Sequence, residues 1–238
     1  MLKANEKVSI VVPTYNERGN IRSLCEGIRH AIEHKWDYEI IVVDDNSPDG
    51  TSEIVLQLIT EGIPIKLIQR PGKLGLGSAV AMGFARATGD CWVMMDADLS
   101  HNPEDLPNLI RALSDADIAV GSRYVDGGGV INWPLWREIA SRVASILGRM
   151  LVRLSVRDLT SGFGAFRRDH LASLLPTLNP KGFKLILEIL AKSRDARVKE
   201  IPITFVDRRV GKSKASITEA LLFLRLCIGL RRWKSLIN

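Results

Sequence analysis

The sequence is short of the features that mark several common protein classes. Its three cysteines, Cys25, Cys91 and Cys227, lie far apart and form no C-x-x-C. That excludes a disulfide framework or a thiolate metal site and points to a reducing cytosol. There is no repeat and no Ser/Gly-rich or Pro-rich tract, so neither a solenoid nor a disordered segment is expected. The polar opening, Met1 to Lys7, leads directly into a strand, so no secretory signal is expected. The longest apolar stretch, residues 217–230, is interrupted by Glu219 and Arg225, whereas a bilayer span needs about 20 apolar residues.

Familiar ligand fingerprints are missing too. Gly75-x-Gly77 continues to Val80 where a dinucleotide-binding turn needs Gly or Ala. Gly211-Lys212-Ser213 ends like a P-loop, but Val206 stands where the leading Gly belongs. His30 and His34 sit one helical turn apart with no H-E-x-x-H pattern, which describes a solvated basic face better than a zinc site.

What is present describes an ordered globular protein. The 238 residues are 46% hydrophobic and 25% charged, enough to bury one large core. Lys and Arg number 33 against 27 Asp and Glu, a net charge of +6, with pI ≈ 9.4. This favours anionic partners without choosing among them. The cations are spread among loops with no recognised nucleic-acid motif, so no nucleic acid is expected as a partner.

Read in order, the chain alternates. Val8 to Pro13 is a β-branched strand, followed by a helix from about Asn20 to His34 and a second strand from Tyr38 to Val43. Ser47 and Pro48 then provide a helix N-cap and first position. Pro64 to Gln69 is a third strand, the loop from Pro71 to Gly77 feeds a helix through Ala87, and Cys91 to Met95 is a fourth strand. A helix from about Pro103 to Leu113 and a strand from Asp117 to Gly121 follow. Further on come a loop at Asp126 to Gly129, a helix from about Pro134 to Leu154, a Gly-rich segment at Ser161 to Gly164, a helix near Phe183 to Ser193 and a last strand from Glu200 to Val206. This alternation predicts an α/β fold with a mostly parallel central sheet flanked by helices.

The stretch that organises this pattern ends in Asp96-Ala97-Asp98. Side chains alternate along a strand, so the two carboxylates project to one side at its carboxyl end, where open α/β sheets keep their ligands. Two such acids repel unless a cation lies between them. Mg²⁺ takes one or two carboxylates and completes its shell with water and phosphate oxygens. Tyr15-Asn16-Glu17 and Asp44-Asp45 fall at the ends of neighbouring strands, so the fold gathers all three clusters along one edge. Tyr15 can wall a base, and Glu17 and Asp45 can accept hydrogen bonds from base or ribose; Asp44 or Asp45 serves equally as a helix N-cap. The loop Gly72-Lys73-Leu74-Gly75 offers backbone N–H groups and Lys73 to a phosphate, or is a plain strand-to-helix turn.

Five segments carry a resemblance: Val11 to Glu17, Val43 to Thr51, Asp96 to Pro103, Gly121 to Tyr124 and Phe205 to Lys214. In order, and over nearly the whole chain, they resemble the family-2 inverting glycosyltransferases of GT-A (Rossmann-like) fold. Among these they are most similar to the polyprenyl (dolichyl) phosphate mannosyltransferases. The resemblance implies one GT-A domain over residues 1–214, followed by an apolar and basic helix over 215–238 that lies on a membrane interface or docks on the domain. It implies that Pro13, Tyr15, Glu17, Val43 and Asp45 hold the guanosine of GDP-mannose, that Asp96 and Asp98 hold Mg²⁺ or Mn²⁺, and that Ala97 lines the sugar nucleotide. Arg123, Arg208 and Lys214 would contact phosphates of donor or acceptor, with Asp98, Arg123 and Arg208 carrying the catalytic electrostatics.

The expected reaction is metal-dependent transfer of mannose to a polyprenyl phosphate with inversion, giving the β-linked mannosyl phosphate. Arg137 and Ser141, at i, i+4 on one helix, would clamp the acceptor phosphate together with Arg123, unless they are simply helix surface. A UDP-glucose:polyprenyl-phosphate glucosyltransferase and a non-catalytic nucleotide-sugar-binding subunit are the alternatives. The implied placement is cytoplasmic and peripheral, on the cytoplasmic face of a membrane, held by the membrane surface or by a membrane-bound partner subunit.

Overall fold

The structure, a computed structural model, describes residues 6–179, 182, 184–193, 195–207 and 217–237; for 217–220 and 234–237 it describes the backbone alone. The elements are β1 (Val8–Thr14), α1 (Ile21–Ile32), β2 (Tyr38–Asp44), α2 (Thr51–Thr60), β3 (Ile65–Gln69), α3 (Leu76–Arg86), β4 (Cys91–Met94), α4 (Leu106–Ala112), β5 (Ile118–Ser122), β6 (Gly129–Ile131), α5 (Leu135–Val152), β7 (Gly164–Arg167), α6 (Arg168–Leu174), α7 (Leu185–Lys192), β8 (Val198–Pro202), β9 (Thr204–Val206) and α8 (Ile217–Ile237).

Seven strands form the central sheet in the order β3-β2-β1-β4-β7-β5-β8. All run parallel except β7, which is antiparallel to both neighbours. This is the mostly parallel α/β architecture expected from the alternation. The middle strands are apolar on both faces because both faces are covered. Ile10 and Val12 join Ile40, Val42 and Val93 against α1, α2 and α4. Val11 and the other alternate residues, Ile41, Val43 and Met94, meet Val80 and Phe84 of α3 on the opposite face. Helix α1 supplies its share through Ile21, Leu24, Cys25, Ile28 and Ile32, the 3.6-residue spacing of one buried stripe.

The structure departs from the sequence reading in several places. The Gly-rich segment runs into β7, a strand that local pattern did not show. The fit is close at Gly164, where a Cβ would stand 3.2 Å from the Ala119 carbonyl oxygen. The single strand expected over Glu200 to Val206 is two: β8 pairs with β5, while β9 pairs with β6 in a separate two-stranded ribbon. Ile203 makes the break, its N–H donating to Ser122 O at 3.0 Å. Helix α2 begins at Thr51 rather than at Pro48, with Gly50 as N-cap at φ 88; a Cβ at Gly50 would lie 2.5 Å from the Arg18 guanidinium. The C-terminal helix, Ile217–Ile237, falls within the expected 215–238, and its Phe223, Cys227 and Leu230 are buried.

Far from the strand ends that gather the acids, Glu39 of β2 is only 3% exposed. It accepts from Ser9 Oγ at 2.6 Å, Thr88 N at 2.7 Å and Thr88 Oγ1 at 2.8 Å, and pairs with Lys66 Nζ at 2.6 Å. Burial pushes its pKa up, but these partners outweigh burial and hold it at about 2. A depressed pKa gives stability that is complete above the unfolded value and lost as pH falls through the folded one. Glu39→Gln is therefore expected to cost about 2–3 kcal/mol at pH 7. Urea unfolding across pH should show the gap to wild type closing between the model-compound value, 4.5, and about 2.

Candidate active site

The carboxyl ends of β1 and β4 open into a cleft of ≈ 480 Å³. Pro13, Tyr15 and Glu17 line it from β1, and Asp96, Ala97 and Asp98 from β4. Lys73 and Leu76, Thr160 to Gly162, and Lys184 with Leu185 complete the walls. Six residues expected at the site from sequence thus stand together around one space.

The first two motifs hold each other in place. Asn16 N donates to Ser47 Oγ and Glu17 N to Thr51 Oγ1, each at 3.0 Å, so the loop after β2 fixes the loop after β1. Asp44 anchors this clasp by accepting from Thr14 Oγ1 (2.8 Å), Ser47 N (2.9 Å), Ser47 Oγ (2.6 Å) and Ser52 Oγ (3.1 Å). Neither Asp44 nor Asp45 caps α2. Val43 is fully buried and Asp45 is 6% exposed, and both lie behind the lining of the cleft. Asp45 pairs with buried Arg70 at 2.8 Å and accepts from Leu74 N at 3.2 Å. It thereby ties down the Gly-rich loop whose Lys73 lies 4.1 Å over the Tyr15 ring.

Asp98 is 8% exposed and accepts from both the N–H and the hydroxyl of Ser100. Leu99 between them sits at φ 60, a left-handed conformation costly for Leu and of the kind that gathers at functional sites. The Asp96 side chain is one-third exposed. Gly162 presses against it: a Cβ there would stand 2.3 Å from Asp96 Oδ2. Among the described residues no group of three or more His, Cys, Asp or Glu side chains could hold a metal. Two carboxylates with a backbone drawn tight against one of them suit a hard divalent cation that takes its other ligands from water and a bound diphosphate.

Arg123 is placed differently from the expectation of a phosphate contact. It is 4% exposed and forks onto Asp158 at 2.7 and 2.8 Å, with Nη2 also donating to Thr160 Oγ1 at 2.6 Å. Tyr124, Trp133 and Phe205 ring the guanidinium at 5.1–5.4 Å. Burial raises the Asp158 pKa, yet Arg123 outweighs it and holds the carboxyl below its ordinary value. Arg137 donates to Asp207 at 2.7 Å and lies 4.2 Å over Trp133. Ser141 Oγ meets Thr160 Oγ1 at 3.2 Å, on the cleft wall. Arg208 and Lys214 lie outside the described residues. The sequence reading did not find Asp158, Thr160, Lys184 or Leu185; Ser161-Gly162 was visible only as a Gly-rich segment.

Comparison with known proteins now decides the family. The signature of Glycosyl transferase family 2 matches residues 9–175. The chain belongs to that family. It is 43% identical over 235 residues to a dolichol-phosphate mannosyltransferase of Pyrococcus furiosus, covering 98% of this chain and 66% of the relative. It is 38% identical over 223 residues to a polyprenol monophosphomannose synthase of Mycolicibacterium smegmatis, covering 90% of this chain and 83% of the relative. The chain thus spans just under two thirds of the Pyrococcus protein. In fold it is similar to the mannosyltransferase PcManGT of Pyrobaculum calidifontis, solved with GDP-Man and Mn²⁺: TM-score 0.69, 19% identity, covering 99% of this chain and 66% of that one. Glucosyl-3-phosphoglycerate synthase of Mycobacterium tuberculosis aligns with TM-score 0.68 and 22% identity, covering 96% and 80%.

The family member's buried pair gives a stability test. Asp158→Ala leaves the Arg123 charge buried and unpaired, and is expected to cost about 3–5 kcal/mol. Lys199→Ala, which breaks the exposed pair with Asp115, should cost under about 1 kcal/mol. Urea unfolding of the two variants checks the contrast, and equal losses would show that burial of the pair does not govern its cost.

Proposed function

We propose that this chain transfers mannose from GDP-mannose to a polyprenyl (dolichyl) phosphate, with a divalent cation, Mg²⁺ or Mn²⁺, and inversion to the β-mannosyl phosphate. The observation that carries the reading is the position of Asp96 and Asp98. They share one cleft with the Tyr15 and Glu17 wall on one side and the Thr160–Ser141 wall on the other. The names of the Pyrococcus and Mycolicibacterium relatives support the acceptor class.

In this reading Tyr15 and Glu17 receive the nucleoside and Ala97 lines the sugar, while Val43 and Asp45 act from behind the cleft wall. Asp45 does so by holding the Lys73 loop. The bound cation, held by Asp96 and Asp98, would neutralise the diphosphate and ease its departure. An acceptor phosphate is already ionised at pH 7, so the reaction needs no strong general base. It needs relief of repulsion between two anions and in-line placement of the attacking oxygen. Arg137 serves the acceptor by exchanging Asp207 for the phosphate, with the Ser141 hydroxyl beside it. Arg123, occupied by Asp158, acts through Thr160 and Trp133 rather than by direct contact. Arg208 and Lys214 are assigned the remaining phosphate contacts.

The membrane placement rests on α5. Leu135, Trp136, Ile139, Val143, Ile146 and Met150 are exposed along it, Leu135 and Met150 by 71% and 72%. Leu221, Leu222 and Ile228 of α8 are exposed as well, and no described helix is long and apolar enough to cross a membrane. Such a surface, starting two residues before Arg137, suits a protein lying on the cytoplasmic face of a bilayer. Trp133 is engaged by Phe205 and Arg137, which leaves Trp136 as the interfacial tryptophan.

Purified protein given radiolabelled GDP-mannose, a short polyprenyl phosphate and Mn²⁺ should place label in the organic phase, with GDP competing better than UDP. Asp98→Ala should cut the rate by about 1,000-fold without changing thermal unfolding. Label transferred only from UDP-glucose would favour the glucosyltransferase, and no turnover with any donor would favour a binding subunit.

The protein should also sediment with anionic liposomes at low salt and be partly released at high salt. The exposed substitutions Trp136→Glu and Met150→Glu should abolish retention while leaving the fold intact. Full retention by that double variant would remove α5 from the membrane contact.

A further inference from the structure

His101 is buried, 1% exposed, yet neither ring nitrogen has a hydrogen-bond partner. Polar groups buried in this way are rare because burial without a partner is costly. Two rings hold the imidazole: Phe163 tilted against it and Phe205 edge-on, each with centroids 5.1 Å away. Held so, Nε2 faces Asp96 Oδ2 across 3.6 Å, just beyond hydrogen-bond reach. The ring therefore stands behind one of the two carboxylates of the cleft, on the side of β6 and β9. Phe205 belongs to β9 and meets Trp133 edge-on at 5.3 Å, and Arg137 lies over Trp133. The next residue, Val206, donates from its N–H to Ser100 O at 3.0 Å. The acceptor-side ribbon is thus fastened to the loop that carries Asp96 and Asp98.

We propose that His101 is a positioning residue for Asp96. With a divalent cation held by Asp96 and Asp98, a shift of the Asp96 carboxyl by a few tenths of an ångström would bring Oδ2 within hydrogen-bond reach of Nε2–H. That hydrogen bond would fix the orientation of the Asp96 carboxyl. Ligating groups held by such an outer partner bind metal about 10–100-fold more tightly than free ones. Phe205 keeps the ring from retreating, so the setting of Asp96 depends on the same ribbon that carries Trp133. The inference rests on the reading of Asp96 and Asp98 as cation ligands.

The test is Mn²⁺ affinity at saturating GDP, followed by the electron paramagnetic resonance signal of free Mn²⁺. His101→Phe keeps an aromatic ring between Phe163 and Phe205 and removes both nitrogens. His101→Gln keeps an N–H at about the reach of Nε2. The Phe variant should bind Mn²⁺ about 10–100-fold more weakly than wild type, with unchanged GDP affinity in EDTA, and the Gln variant should recover most of the loss. Wild-type Mn²⁺ affinity in the Phe variant, or a Gln variant as weak as the Phe one, overturns the proposal. If wild type itself binds no Mn²⁺ with GDP, the cation reading falls and the proposal with it, an outcome distinct from the other two. Should the Phe variant fail to fold, ¹⁵N-labelled wild type decides: on adding Mg²⁺ and GDP the Nε2–H resonance should move downfield, and an unmoved resonance overturns the proposal.

Discussion

The rest of the site depends on the buried pair between Arg123 and Asp158. A buried ion pair adds little net stability, because desolvation cancels much of the attraction, but removing one partner is expensive. Such a pair therefore acts as a constraint on which segments stay together. Asp158 also donates its N–H to Glu200 of β8 at 3.0 Å, and its Oδ2 accepts the Arg123 N–H at 3.1 Å. The segment that continues to Thr160, Ser161 and Gly162 is thereby pinned across the ends of β5 and β8. On its other side the same guanidinium seats Trp133 and Phe205. The Thr160–Gly162 wall and the β6–β9 ribbon both hang from one arginine.

That arrangement answers the electrostatic problem of the cleft. In the proposed reaction donor and acceptor would both be anions, and the strand ends offer carboxylates, which repel both. Asp96 and Asp98 would become useful there only with a cation between them and the diphosphate. The arginines are kept apart from those acids by partners of their own: Arg123 by Asp158, Arg137 by Asp207 and Arg70 by Asp45. Positive charge is held near the cleft without collapsing onto Asp96 and Asp98. Of these pairs Arg137–Asp207, at 18% and 26% exposure, is less buried than Arg123–Asp158 or Arg70–Asp45, so it costs the least of the three to break.

How much of this was legible in the sequence divides along local and distant information. The β-branched runs from Val8 and from Tyr38 announced parallel central strands, and the D-x-D at the end of β4 announced the cleft, because alternation and strand-end position are local properties. Tyr15, Glu17, Asp96 and Asp98 were placed at the cleft in this way, and Pro13 and Ala97 by the family resemblance. Strand β7 was not, since four residues after a Gly-rich turn carry no period, and their antiparallel pairing to β4 is a contact across the chain. Arg123 was expected at a phosphate from the family resemblance, and its partner Asp158, 35 residues away, does not show in local pattern. Asp45, read as an acceptor for base or ribose, likewise has its arginine only after the next strand. Gly162 was visible as a glycine, but its approach to Asp96 follows only once β4 and β7 lie side by side. The break at Ile203 escaped because β8 and β9 read as one apolar-rich run.

The central claim is that one buried ion pair holds both halves of the site. Hydrogen–deuterium exchange of Asp158→Asn against wild type, read by mass spectrometry, tests it directly. The account predicts faster exchange both in 158–163 and in the ribbon formed by 129–133 with 204–206, while the amides of β1 and β2 keep wild-type protection. Faster exchange confined to 158–163, with the ribbon as protected as in wild type, would contradict it.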